Sequence, residues 1–116
     1  MPETNSRLLV QKDGEVTIIE FMDRQILEET NIQQIGDDIL RMVDNSAVPK
    51  FLISFENVEH LSSAALGQLI TINNRIRQRD GQLKLSNIDP QIYEVFTITH
   101  LNKLFQIYDT SQQALA

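Results

Sequence analysis

The sequence predicts a single α/β domain with a mixed, mainly parallel sheet, an N-terminal β-hairpin and about four helices packed against the sheet. Short apolar runs alternate with longer segments of helical periodicity, which is typical of an α/β layer fold. The 116 residues are enough to bury one core and too few for two. We therefore expect one domain over residues 1–116, with the polar segment Met1–Ser6 flexible.

The first half of the chain predicts a hairpin, a linking segment and a helix. The pair Asp13-Gly14 is a strong hairpin signal between the apolar runs Leu8–Gln11 and Val16–Phe21. Met22–Leu27 is interpreted as a linking segment. A helix then follows, because apolar residues recur at helical spacing: Ile32, Ile35, Ile39, Leu40 and Val43.

Strands and helices alternate in the middle of the chain. Phe51–Phe55 is apolar without clean alternation, as expected of a central strand that is covered on both faces. A helix is predicted from the serine pair Ser62-Ser63 to about Arg79. Asp80-Gly81 should end this helix, with the glycine in the left-handed conformation. The alternating segment Gln82–Ser86 predicts the next strand.

The last third predicts a helix, a strand and a terminal helical turn. Asp89 is a suitable N-cap, and Pro90 suits the first helical position. Phe105–Tyr108 predicts the last strand, and a terminal turn is expected through Ala116. The residues of the helix expected to face inward are Ile92, Val95, Phe96 and Leu101. The order β-β-α-β-α-β-α-β-α implies mainly parallel strands with right-handed crossovers.

Composition excludes several classes of function. The net charge is −6, and Arg75, Arg77 and Arg79 are the only close group of basic residues, so nucleic-acid binding is not expected. The absence of cysteine excludes disulfides and thiolate chemistry. No apolar run reaches the roughly 18 residues of a membrane span, and no signal peptide is recognisable. We expect a cytoplasmic protein without membrane contact.

Metal, cofactor and catalytic motifs are not recognisable in the sequence. The carboxylate pairs Glu28-Glu29 and Asp37-Asp38 are interpreted as solvated helix faces. His60 and His100 lack the partners at helical spacing that a metal site needs. Neither a phosphate-binding glycine loop nor a Gly-x-Ser-x-Gly motif is present. We therefore expect no metal, no cofactor and no enzymatic activity.

Ser62 and Ser63 stand where a predicted strand gives way to a helix, and three interpretations apply. A serine there can cap the helix, accept a phosphoryl group or act as a nucleophile. A nucleophile needs a positioned base, and no motif surrounds either histidine. One serine suffices as the cap, so the other hydroxyl remains unassigned. A phosphoryl group would be tolerated because it meets the unpaired N–H groups of the first turn.

The same segment resembles the STAS domain of bacterial anti-sigma-factor antagonists. That family's usual pattern is an apolar strand, a Val or Leu, and then Asp-Ser-[Ser/Thr]-Gly-Leu-Gly opening a helix. Phe51–Phe55 resembles the strand, Val58 and Leu61 the apolar lead-in, and residues 62–67 (SSAALG) the motif. Ser62, Ala64 and Ala65 depart from the pattern. The order of elements extends the resemblance over nearly the whole chain.

The resemblance implies a STAS-like fold and a non-enzymatic partner-switching regulator. Such a protein binds an anti-sigma factor with serine kinase activity, is released when its serine is phosphorylated, and is restored by a phosphatase. Ser63 falls on the acceptor position, with Ser62 as second choice, and the comparison with the pattern makes Ser62 the expected cap of the helix. The implied partner-binding residues are Val58, His60, Leu61, Ser62, Ser63, Ala64, Ala65 and Gly67. The alternative is a degenerate STAS scaffold or ligand-binding module that is not phosphorylated, which the three departures favour.

Overall fold

The N-terminal hairpin is present as predicted in the structure, a computed structural model that describes residues 8–26 and 28–115. β1 (Leu8–Asp13) and β2 (Val16–Phe21) pair antiparallel. Gly14 takes a φ of +63° in the turn, which glycine adopts without side-chain strain. The expectations for Met1–Ser6 and Ala116 lie outside the described residues.

The predicted α/β class is confirmed by the sheet. After the hairpin, the described chain forms β3 (Gln25–Ile26), α1 (Glu29–Asp44), β4 (Lys50–Ser54), β5 (His60–Leu61), α2 (Ser63–Gln78), β6 (Gln82–Ser86), α3 (Pro90–Ile98), a 3-10 turn (Leu101–Lys103), β7 (Gln106–Tyr108) and α4 (Ser111–Leu115). In the described residues the main sheet has the order β1-β2-β4-β6-β7, with β1 and β2 antiparallel and the other neighbours parallel.

The core is centred on three neighbouring strands of the main sheet. Ile19 of β2 pairs with Ile53 of β4, which pairs with Leu85 of β6, and all three side chains are fully buried. Apolar residues of α1, α2 and α3 belong to the same cluster. Because parallel strands end at the same edge of a sheet, the segment that follows β4 lies at the carboxyl edge, and the start of α2 is placed there.

The prediction that Met22–Leu27 only links two elements is wrong. Gln25 and Ile26 form β3, which pairs in parallel with His60 and Leu61 of β5. Each strand is two residues long, so neither shows the periodicity by which strands are recognised. The pairing joins segments about 35 positions apart, and only the folded chain brings them together.

Asp38 was predicted to face outward, and this is wrong. Its side chain is buried, and its Oδ1 accepts hydrogen bonds from Gln34 Nε2 and Arg41 Nη1, each at 3.1 Å. Asp38 follows Ile35 by one helical turn and therefore lies at the edge of the buried face of α1. Asp37 is exposed, as predicted.

Gly81 ends α2 for a different reason from the one predicted. The left-handed residue is Asp80, with a φ of +61°, while Gly81 is not among the residues with positive φ. A Cβ on Gly81 would collide with the carbonyl oxygen of Pro49. Gly81 N–H also donates to Ile76 O at 2.9 Å, so close packing of backbone explains this glycine.

Helix α3 is capped as predicted but turns one apolar residue outward. Asp89 Oδ1 accepts from Gln91 N–H at 2.9 Å, and Ile92 and Phe96 are buried. Val95, which was predicted to face inward, is 42% exposed. The helix thus carries more apolar side chains than its buried face can cover.

Candidate functional site

The segment between β4 and α2 is held from below by two buried side chains. Phe55 and Val58 are almost fully buried, and Val58 N–H donates to Phe55 O at 3.0 Å across the turn Glu56-Asn57. Phe55 packs on Phe21 with ring centroids 5.3 Å apart. The turn is therefore fixed to the core, although its own polar residues are exposed.

The short strand β5 fixes the position of the serine pair. Glu59 N–H and His60 N–H both donate to Arg24 O, at 2.7 and 3.1 Å. Ser62 N–H donates to Ile26 O at 3.2 Å. Backbone hydrogen bonds to the β3 segment thus hold the chain up to the first residue before α2. The sequence carried no signal for this support, because it depends on a long-range strand pair.

Ser62 is the N-cap of α2, as predicted. Its backbone is extended, with φ −80° and ψ 165°, and its Oγ accepts from Ala65 N–H at 3.2 Å. Ser62 O accepts from Leu66 N–H at 3.1 Å, which is the first bond of the helix. The Ser62 hydroxyl therefore satisfies one of the donors that a helix start leaves unpaired.

Ser63 is the first residue of α2, and its side chain is exposed. Within the described ranges its Oγ forms no hydrogen bond to another side chain or to the backbone. No histidine or carboxylate of those ranges is hydrogen-bonded to it as a base would be. The hydroxyl is instead open to solvent beside the positive end of the helix dipole.

The other residues implied in partner binding divide between surface and core. His60, Ala64 and Gly67 are exposed, and Leu61 is half-buried. A Cβ on Gly67 would meet no atom within 4 Å, so no strand of the described structure approaches this glycine. Val58 is 2% exposed and Ala65 is 6% exposed. These two side chains support the surface from beneath and do not form it.

A groove of about 220 Å³ lies beside the serine pair, between β5, the first turn of α2 and α3. Leu61 and Leu66, which flank the pair in sequence, line it together with His60 and Val95. Sequence reasoning missed Val95 because helical spacing placed it inside. The available signal was the surplus of apolar residues on α3, of which Tyr93, Val95 and Ile98 are exposed.

The described residues contain neither a metal-binding cluster nor a membrane-spanning helix. In the part of the chain that the structure describes, no group of three or more His, Asp or Glu side chains could hold a metal ion. No helix of the described ranges has the length and hydropathy of a membrane span.

Comparison with known proteins identifies the family. The model of the STAS domain matches residues 8–114. A STAS-domain anti-sigma-factor antagonist structure from Planctomyces limnophilus is 31% identical, with a TM-score of 0.84 over 93% of this chain and 94% of that one. The anti-sigma F factor antagonist of Paenibacillus polymyxa is 24% identical over 83 residues, which cover 67% of this chain and 71% of that protein.

The fold is shared with more distant structures. The Bacillus cell fate determinant SpoIIAA in its phosphorylated form is 19% identical, with a TM-score of 0.72 over 93% of this chain and 96% of that one. The predicted resemblance is thus confirmed over nearly the whole described length. The chain belongs to the STAS domain family, among relatives named as anti-sigma-factor antagonists.

Proposed function

We propose that this protein is a non-enzymatic partner-switching regulator. It binds an anti-sigma factor with serine kinase activity, phosphorylation of Ser63 ends the binding, and a phosphatase restores it. The ATP is bound by the kinase and not by this protein. We expect binding, phosphorylation and dephosphorylation to take place in the cytoplasm, where ATP is available. The observation that carries the proposal is the division of roles at the start of α2. Ser62 is engaged as the cap, while the adjacent Ser63 hydroxyl is exposed and without a hydrogen bond in the described structure.

The position of Ser63 explains how a phosphoryl group could change binding without unfolding the domain. The group would lie near the N–H groups of the first turn, which favour negative charge. It would add about 1.5 to 2 negative charges to a surface that already carries the exposed Glu59. A partner that packs on His60, Ala64 and Gly67 would then meet a bulky, hydrated dianion.

The test compares Ser63 variants in kinase and binding assays. A candidate anti-sigma kinase is incubated with the protein and ATP, and mass spectrometry locates the phosphate. We expect phosphate on Ser63, none in Ser63→Ala, and retained kinase binding by Ser63→Ala. Ser63→Asp should bind at least tenfold more weakly, because its carboxylate places charge at the interface. Ser46→Ala is the matched control. It removes a serine hydroxyl just after the C-terminus of α1, where Ser46 also contacts the C-terminal end of α2, whereas Ser63 is at the N-terminal end of α2.

The second candidate is a STAS scaffold without phosphorylation. It is favoured by Ser62, Ala64 and Ala65, which stand where the family pattern has Asp, Ser or Thr, and Gly. The two candidates differ in one result. A kinase that binds the protein tightly and yet phosphorylates neither Ser63 nor Ser62 would refute the switch and favour the scaffold.

A further inference from the structure

A second groove, of about 360 Å³, lies at the far end of α2 from Ser63. It is bounded by the last turns of α2, the start of β6, and the segment from the 3-10 turn into β7. Asn73, which lines it, is ten residues after Ser63, or roughly 15 Å along the helix axis. Since β6 and β7 begin here, this groove lies at the amino edge of the parallel strands and is separate from the surface around Ser63.

Asn73 presents an unsatisfied donor at this groove. Its side chain is 3% exposed, and Nδ2 is the one buried side-chain nitrogen or oxygen of the described residues without a hydrogen-bond partner. Leaving a buried polar group unpaired is unfavourable, and native proteins rarely do so without a functional or solvent partner. Because Nδ2 has almost no solvent-accessible area, it lies beneath the lining of the groove, and an acceptor atom in the groove satisfies this amide when the lining side chains shift.

Two cations line the same groove. Arg77 and Lys103 are exposed there, and neither forms an ion pair or a side-chain hydrogen bond with any described residue. The neighbouring arginines are engaged: Arg75 of α2 with Asp44 at 2.8 Å, and Arg79, directly after α2, with Ser46 O at 2.7 Å. No carboxylate lies among the described lining residues. A local positive charge therefore stands out on a chain of net charge −6.

We propose that this groove binds a small phosphate monoester, whose oxygens accept from Asn73 Nδ2 and whose charge is balanced by Arg77 and Lys103. A phosphate monoester carries about 1.5 to 2 negative charges at neutral pH, which matches two cations. A guanidinium group can donate two parallel hydrogen bonds to two oxygens of one phosphate group. The groove has the volume of roughly twelve water molecules, more than a phosphate group fills, and Leu104 provides an apolar wall for an organic part.

The experiment is a titration of the whole chain with ribose 5-phosphate, followed by NMR of the ¹⁵N-labelled protein. Free ribose, inorganic phosphate and sodium chloride at matched ionic strength are titrated in parallel. We expect the Asn73 side-chain amide signals, identified by their loss in Asn73→Leu, to shift saturably with ribose 5-phosphate. Arg77→Gln and Lys103→Gln should each weaken the affinity roughly fivefold to tenfold, because each removes one charged contact. Both side chains are exposed, so the variants should fold.

Arg75→Gln is the matched control. The substitution removes the same charge from the same helix as Arg77→Gln, but Arg75 lies outside the groove. The affinity of this variant for ribose 5-phosphate should therefore stay within twofold of that of the unmodified protein. An equal loss in Arg75→Gln would overturn the proposal by reducing it to general electrostatics. The proposal would also be overturned if sodium chloride caused the same shifts of the Asn73 signals. Binding of inorganic phosphate without binding of ribose 5-phosphate would overturn it as well.

Asn73→Leu provides a second readout that does not depend on the spectra. Removing an unpaired buried donor should raise the thermal midpoint of the free protein by a few degrees. Ribose 5-phosphate should then raise the midpoint of the unmodified protein but not that of the variant. A ligand-dependent rise in Asn73→Leu as large as in the unmodified protein would contradict the site. None of these results depends on phosphorylation of Ser63.

Discussion

Loss of the Ser62 hydroxyl should destabilise the domain by about 1 kcal/mol. In Ser62→Ala, Ala65 N–H loses the acceptor that lies 3.2 Å away in the folded protein. Removing an N-cap of this kind costs about 0.5–2 kcal/mol. The distance is at the long end of the range for N–H···O bonds, and Ser62 is half-buried, so water can partly replace the hydroxyl. Both facts favour the middle of the range over its upper limit.

Ser63→Ala is the control for this measurement, because it removes an adjacent hydroxyl that has no hydrogen bond in the described structure. Its free energy of unfolding should stay within about 0.5 kcal/mol of the unmodified protein. Urea unfolding followed by far-UV circular dichroism suits a chain without tryptophan. With a slope of about 2 kcal/mol per molar urea, Ser62→Ala should lower the midpoint by about 0.5 M. Ser62→Asp should keep the original midpoint, since aspartate caps equally well.

The assignment of cap and acceptor predicts unequal effects of the two substitutions. Equal midpoint shifts in Ser62→Ala and Ser63→Ala would refute it, as would a Ser62→Ala midpoint unchanged from that of the unmodified protein. A larger loss in Ser63→Ala would reverse the roles. In that case Ser62 would become the better candidate for phosphorylation.

Four further substitutions, in two pairs, test the packing. Gly81→Ala should destabilise the domain by about 1–3 kcal/mol, since its Cβ would collide with Pro49 O. Gly67→Ala should stabilise the domain by about 0.5–1 kcal/mol, because that position is open. Urea titration distinguishes the two opposite signs, and equal shifts of the unfolding midpoint would contradict the packing. Ile53→Ala should lower the free energy of unfolding by about 2–5 kcal/mol, because Ile53 is fully buried at the centre of the sheet. Ile98→Ala should lower it by less than about 0.5 kcal/mol, because Ile98 is 71% exposed. Thermal unfolding of the two variants measures this difference.

Local features of this protein followed correctly from the sequence. The Asp13-Gly14 turn, the Ser62 and Asp89 caps, and the alternation of strands and helices were predicted and are present. Each depends on atoms within a few residues along the chain. A cap joins a side chain to an N–H two or three positions later, and a hairpin turn is decided by the residues within it.

The candidate site was only partly predictable. The position of the serine pair at the start of α2 was predicted, and so was the choice of Ser62 as cap. The burial of Val58 and Ala65 and the outward position of Val95 were not, since exposure depends on which distant elements pack against a residue. The groove beside Leu61 and Leu66 forms only when α3 lies next to α2.

Tertiary structure alone decided the remaining features. Strands β3 and β5 exist because Gln25–Ile26 meets His60–Leu61, and neither segment has a strand pattern of its own. Gly81 is required because Pro49 lies against it, although its own backbone is unstrained. In the sequence, Asn73 is one polar residue among others on a helix. Only the folded structure buries its amide and brings it near Arg77 and Lys103. In each case the deciding contact joins residues far apart in sequence, and no local pattern carries that information.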